Sequence, residues 1–225
     1  MLVKNWMSTP VISVDANDSM EHAIKLLKQH NIRMLPVMQK NKLVGILTDR
    51  DLKRSSASDA TSLEIHELNY LLSTIKAKDI MTKKPITVPM DYTVEETAEI
   101  LLKHKISGVP VVDSFNQLVG IITQSDLFRI IISLTGVGSR GIQFGVEVED
   151  RPGSIKEITD TIREYGGRMV SVLTSHKMAP QGYRRVYIRM FGIDRFKIHR
   201  LKEDIEQKAN LLYMVDHRDK GREIF

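Results

Sequence analysis

Gly45-Ile46-Leu47-Thr48-Asp49-Arg50-Asp51-Leu52 returns as Gly120-Ile121-Ile122-Thr123-Gln124-Ser125-Asp126-Leu127, and this recurrence decides how the first half of the chain is read. In each copy a short apolar strand passes without a turn into Thr-x-x-Asp, a sequence that suits the start of a helix. Working outward, Leu43-Val44 matches Leu118-Val119, Pro36-Val37 matches Pro110-Val111, and Ile32 matches Ile106. Trp6-Met7-Ser8-Thr9-Pro10-Val11-Ile12-Ser13-Val14 likewise matches Ile80-Met81-Thr82-Lys83-Lys84-Pro85-Ile86-Thr87-Val88. Similarity held at an offset of about 75 residues through a whole unit is the signature of a tandem repeat.

The spacing predicts β-α-β-β-α for each copy. Strands are expected at 11–14, 34–38 and 43–47 and, in the second copy, at 86–88, 109–112 and 118–122. Asp18-x-x-Glu21 and Thr93-x-x-Glu96 read as capping boxes for the helices that follow. Each unit is roughly fifty residues, a size at which one copy alone is marginal and a second completes the core. Between the copies, residues 55–60 read as a polar breaker, and Thr61-x-x-Glu64 starts a further helix through Leu63, Leu68, Leu71 and Leu72.

After the second copy comes Gly136-Val137-Gly138-Ser139-Arg140-Gly141. Its spacing matches the dinucleotide fingerprint, which needs a strand before it and a helix after it; here the order is reversed, so it reads as a linker. The remainder predicts β-α-β-β-α-β, the ferredoxin-like order. Strands are expected at 143–149, 169–175, 184–191 and 211–215. One helix opens at Asp150-Arg151-Pro152-Gly153-Ser154-Ile155 and stops at Gly166-Gly167, and a second starts at Asp194 with Phe196, Leu201 and Ile205 on its apolar face.

With 225 residues, 42% of them hydrophobic, the chain can build a core in each half. It has no cysteine, which rules out disulfides and thiolate sites and fits a reducing compartment, the cytoplasm by default. The N-terminus lacks the apolar core of a signal peptide, and no run is long enough to span a bilayer. A net charge of +5 and a pI near 9.3 arise from interspersed residues of both signs, without a dense basic block. The seven histidines form no metal-binding pair, and no nucleophile elbow or Walker lysine occurs, so catalysis has no foothold.

The twice-matched P-V strand and the G-h-x-T-x-x-D motif resemble a tandem pair of CBS domains, a Bateman module. Glu149-Asp150-Arg151-Pro152-Gly153-Ser154 with Tyr165-Gly166-Gly167-Arg168 resembles an ACT domain. The combination is similar to acetoin-utilisation regulatory proteins of the AcuB type. On this reading residues 1–56 are the first CBS repeat, 57–76 a helical insertion, 77–135 the second repeat, 136–140 a linker, 141–217 the ACT domain and 218–225 a charged tail. The expected fold class is α+β or α/β, two β-α-β-β-α repeats followed by a ferredoxin-like β-α-β-β-α-β domain.

The resemblance implies that Thr48 and Thr123 contact phosphate and Asp51 and Asp126 the ribose of an adenine nucleotide such as AMP, ADP or ATP. It places the adenine between Ile12-Ser13 or Ile86-Thr87 and the strand entries Arg33-Met34-Leu35-Pro36 or Ser107-Gly108-Val109-Pro110. A helix N-terminus suits phosphate, but the same Thr and Asp equally serve as a helix cap, and the strand-entry residues equally serve as core. Arg33 and Arg50 stand where the second copy has Ser107 and Ser125, so the first site is expected to favour the more phosphorylated ligand. In the ACT-like part, Asp150, Pro152, Gly153, Gly167 and Arg168 are candidate contacts for an amino-acid effector, against a reading in which that domain only pairs subunits. The expected partners are an adenine nucleotide, a second copy of the chain and an effector protein; neither a cofactor nor a membrane is expected. Alternatives are a nucleic-acid-associated regulator using Arg184, Arg185, Arg189, Arg195, Lys197 and Arg200, or a purely structural oligomerisation module.

Overall fold

The computed structural model describes residues 1–59, 72–139, 141–219 and 221–225, with only the backbone described for 55–59. The helix expected from Thr61 lies outside these residues, as do Leu63, Leu68 and Leu71. The chain forms two compact units, Met1–Phe128 and Arg129–Phe225.

In the first unit the two repeats share one plan. β1 (Val14–Asp15), α1 (Met20–Gln29), β2 (Met34–Gln39), β3 (Lys42–Thr48) and α2 (Asp49–Asp59) form the first. After α3 (Ala77–Ile80) and β4 (Thr82–Lys83), the second consists of β5 (Val88–Pro89), α4 (Val94–His104), β6 (Gly108–Val112), β7 (Leu118–Thr123) and α5 (Gln124–Thr135), of which α5 runs on into the second unit. β1 runs parallel to β2 with Val14 opposite Val37, and β5 runs parallel to β6 with Val88 opposite Val111. The antiparallel β2–β3 ladder slips between Val37 and Met38, and β6–β7 slips at the equivalent step, between Val111 and Val112. The repeats thus share even their irregularities.

Leu35, Val37 and Leu47 in the first repeat, and Val109, Val111 and Ile122 in the second, are fully buried, and Pro36 and Pro110 are buried beside them, so the second strand of each repeat is covered on both faces. Thr93 and Glu96 form the expected capping box: Glu96 Oε2 accepts from the Thr93 amide at 2.7 Å and Thr93 Oγ1 accepts from the Glu96 amide at 3.1 Å. The box expected at Asp18 and Glu21 is replaced by Ser19, whose hydroxyl accepts from the His22 amide at 3.2 Å. Asp18 instead accepts from the Asp15 amide, which fixes the turn before the helix. The polar breaker expected at 55–60 is also corrected, because α2 continues to Asp59. A serine run costs a helix only a few tenths of a kcal/mol per residue and does not stop one.

The repeats exchange their leading segments. Residues ahead of the first repeat lie on the second: Val3 and Lys4 donate to the carbonyls of Tyr92 and Met90, and Ser8 pairs with Ile121. Residues ahead of the second repeat lie on the first: Met20 donates to Ile75, Ala77 to Asp18, and β4 extends the first sheet with Lys83 opposite Gly45. This arrangement is long-range and leaves no local trace in the sequence.

The second unit has the order β8 (Ile142–Glu149), α6 (Ser154–Glu164), β9 (Arg168–Ser175), β10 (Tyr183–Phe191), α7 (Ile198–Glu206) and β11 (Asn210–Asp216), the expected β-α-β-β-α-β. With β12 (Gly221–Ile224) added, its sheet runs β12-β11-β8-β10-β9. The expected charged tail thus holds a strand: β12 pairs with β11, while Lys202 holds Glu223 at 2.8 Å and lies over the Phe225 ring. Phe144, Val146, Ile158, Ile162, Ile188, Leu201 and Ile205 form the core between sheet and helices. Phe196, expected on a helix's apolar face, is 94% exposed, because Asp194 caps a separate 3-10 turn and α7 begins only at Ile198.

Candidate functional site

Thr48 ends β3, and Asp51 sits in the first turn of α2. Asp51 Oδ2 accepts from the Thr48 amide at 3.0 Å and from Thr48 Oγ1 at 2.7 Å, while Thr48 Oγ1 accepts from the Asp51 amide at 3.3 Å. The second repeat reproduces this at Thr123 and Asp126 with 2.8, 2.7 and 3.4 Å. Both aspartates are buried, at 8% and 6% exposure. The helix cap is therefore built in both repeats, and it sets a condition on any ligand. Each threonine hydroxyl already gives its proton to the aspartate, so a phosphate that takes this proton must displace that bond. The amides at the helix start remain the group that suits an anion.

The strand entries are tied to the same point. Asp49 donates its amide to the Arg33 carbonyl at 3.2 Å, and Gln124 donates to the Ser107 carbonyl at 2.9 Å. Arg33, Arg50, Ser107 and Ser125 are all exposed, and neither arginine makes an ion pair among the described residues, so the first repeat presents two cations where the second presents hydroxyls. Leu35 and Val109 are fully buried, and Pro36 and Pro110 are buried beside them; as side chains these belong to the core. Ile12, Ile86 and Thr87 are half-buried and Ser13 is exposed. Met34 reaches over to the other strand entry: a β-carbon at Gly108 would lie 3.3 Å from Met34 Cε and 2.9 Å from Thr123 Cγ2. Glycine at 108 keeps Thr123 in place.

In the second unit, a cavity of about 330 Å³ is lined by Asp150, Pro152, Gly153 and Ser154 at the start of α6, together with Arg184. Gly153 adopts φ +92°, the left-handed conformation that lets the chain enter the helix. The Asp150 carboxylate pairs with Arg184 and, at 3.0 Å, with His176 Nε2; the Arg184 contact chiefly holds its pKa below the usual carboxylate range. Arg151 grips both oxygens of Glu157 at 2.8 Å. Within one chain Gly167 and Arg168 are not part of this cavity. They follow the C-terminal end of α6, the length of an eleven-residue helix away, about 16 Å.

Of the basic set considered for nucleic acid, Arg195, Lys197 and Arg200 are exposed, while the three arginines of β10 are engaged within the domain. Arg184 is paired to Asp150, Arg185 lies 3.5 Å from Glu147, and Arg189 is 97% buried with Nη2 donating to Gln143 at 2.9 Å. Alternation along Tyr183–Phe191 puts Arg185, Tyr187 and Arg189 on the sheet face opposite the helices. Among the described residues no group of three or more His, Cys, Asp or Glu could hold a metal ion, and no helix is long and apolar enough to cross a membrane.

The model of the CBS domain family matches residues 3–58 and 77–133. An L-aspartate semialdehyde sulfurtransferase of Methanocaldococcus jannaschii is 37% identical over 130 residues, which is 57% of this chain and 23% of the enzyme, so the likeness spans less than a quarter of that protein. A CBS domain-containing protein of Bacillus subtilis, YhcV, is 30% identical over 61% of this chain and 90% of its own length. Among solved structures, a CBS domain pair in complex with 5′-methylthioadenosine and S-adenosyl-L-methionine is 36% identical, with a TM-score of 0.50, over 58% of this chain and 95% of that one.

Proposed function

Because the chain belongs to the CBS domain family, we propose that its paired repeats form a non-catalytic sensor of an adenine nucleotide or a related adenosyl ligand. The observation that carries this reading is the same Thr-x-x-Asp geometry at two strand-to-helix junctions, in a chain similar to a domain pair solved with two adenosyl ligands. Phosphate or another anionic group meets the helix-start amides by Thr48 or Thr123, the ribose hydroxyls meet Asp51 or Asp126, and the adenine lies by Ile12-Ser13 or Ile86-Thr87. Arg33 and Arg50 bias the first site towards ATP, while Ser107 and Ser125 leave the second neutral.

Occupancy changes how the repeats pack, because the exchanged segments tie each to the other. In this reading residues 141–217 act as an ACT domain that pairs two chains or adds an amino-acid input near Asp150 and Gly153, and the whole is a cytoplasmic regulator. A link to acetoin or carbon metabolism rests on resemblance alone. The test is thermal melting of the full chain with AMP, ADP, ATP, S-adenosylmethionine and amino acids. An adenine ligand at a hundred times its Kd adds about 2.7 kcal/mol of stability and raises the midpoint. No shift with any adenine ligand sinks the proposal.

A further inference from the structure

We propose that the first unit carries a third ligand site, separate from the two Thr-x-x-Asp junctions, which takes a small polyphosphorylated anion. A groove of about 470 Å³ opens between the tips of the two hairpins. Lys42, at the start of β3, forms one wall. Lys84 and Pro85, on the segment that crosses from β4 to β5, form the floor, which ends at Thr87 beside the adenine position proposed above, and the turn Phe115-Asn116-Gln117 between β6 and β7 forms the other wall. Thr123 pairs with Gly108 at one end of the β6–β7 ladder and Val112 with Leu118 at the other, so the groove lies at the far end of the strand from Thr123, about 13 Å along it.

The chemistry of the walls has one sign. Lys42 and Lys84 are exposed, and among the described residues neither makes an ion pair and no carboxylate lines the groove. Asp113, the acid of the adjoining turn, spends Oδ1 on the amides of Phe115 at 2.9 Å and Gln117 at 2.8 Å. Asn116 and Gln117 add neutral donors. Lys84 adopts φ +50° and Asn116 φ +59°. A lysine in the left-handed region is uncommon, and such conformations gather at ligand-binding positions. One ammonium group on a wall and one on the floor of a groove this size suit an anion that extends beyond a single phosphate, and the Phe115 ring, 81% exposed, offers an organic ligand an apolar face. Since the walls come from both repeats, a ligand here bridges them.

The test is calorimetric titration of the full chain with inorganic tripolyphosphate, first alone and then with adenosine in excess to occupy the junction sites. Binding is expected, weakening as salt rises. Lys42→Gln combined with Lys84→Gln should weaken it about tenfold or more, as should Asn116→Asp, which places a carboxylate in the groove, whereas Arg33→Ala with Arg50→Ala should leave it unchanged. Absence of binding, or equal binding by the double lysine variant and by Asn116→Asp, overturns the proposal. So does loss of binding in the arginine variant, which moves the anion to the first junction. If adenosine does not bind while tripolyphosphate does, with the lysine dependence intact, the sensor reading above fails and the third site stands.

Discussion

Met81 lies across Gly45 so closely that a β-carbon on the glycine would come within 2.8 Å of Met81 Cγ and nearer still to the sulfur. Gly120 is covered by Met7 in the same way. Each methionine belongs to the segment that precedes one repeat, and each glycine to the third strand of the other.

Gly45→Ala and Gly120→Ala should therefore each destabilise the chain by about 1–3 kcal/mol, the usual cost of overpacking. Methionine is flexible, so shortening the partner should relieve the crowding. Gly45→Ala combined with Met81→Ala should lose less than the sum of the two single changes. Urea denaturation of the four proteins measures this, and strict additivity would show that the contact does not set the fit between the repeats.

Asp51→Asn and Asp126→Asn separate the cap from the ligand site. The amide keeps the shape and still offers one oxygen to the threonine amide and hydroxyl, so unliganded stability should fall by no more than about 1 kcal/mol. Acceptance from a ribose diol is weakened more, and affinity for AMP should drop about tenfold or further. Calorimetric affinities set beside melting midpoints decide it. Equal stability losses with unchanged AMP affinity leave only the capping box.

Burial pushes the imidazole of His217 below its ordinary pKa, and the charges of Arg189 and Arg222 add to this against a smaller opposing pull from Asp216. The folded chain thus holds the ring neutral while the unfolded chain protonates it near pH 6.5. Its contribution to stability is complete above that pH and declines as the pH falls towards the depressed folded value. Asp150, Glu157 and Asp216, whose pKa values are lowered from carboxylate levels, lose their contributions in a more acidic range. Melting midpoints measured from pH 7.5 to 5 should fall below pH 6.5, and fall less in His217→Gln. Parallel curves for the two proteins would remove His217 as the cause.

β9 forms one edge of the five-stranded sheet, eight residues long, with Val172 and Leu173 at 38% and 40% exposure. An edge of that length is commonly covered by a second copy. Light scattering should give about twice the 25.7 kDa of one chain, and Val172→Lys should shift the mass towards the monomer. A monomer at micromolar concentration in the unaltered chain removes this interface from the proposed function.

The repeat, its strand order and the junction residues were legible because they are local. Alternation and 3.6-residue spacing place the hairpins and main helices, and duplication checks one copy against the other, whereas the leading strands expected at 11–14 and 86–88 reduce to Val14–Asp15 and Val88–Pro89. What escaped was decided by competition or by distance. Asp18 and Ser19 are adjacent good caps, and only the turn geometry selects the serine. Gly221-Arg222-Glu223-Ile224 carries too much charge to read as a strand, yet β11 supplies the ladder and Lys202 the charge partner. Lys42 and Lys84 are 42 residues apart and belong to different repeats, so no spacing rule joins them.

The exchanged segments have a consequence for how such a chain arises and folds. A single repeat of this design, made alone, would present an uncovered third strand and a loose methionine-bearing arm, and these would fit each other only in a second molecule. Association of that kind depends on protein concentration. Joining two copies end to end turns it into an internal encounter at a high effective concentration fixed by the linking chain. The tandem protein is in this sense a swapped dimer made covalent, whose two halves gain and lose their order together.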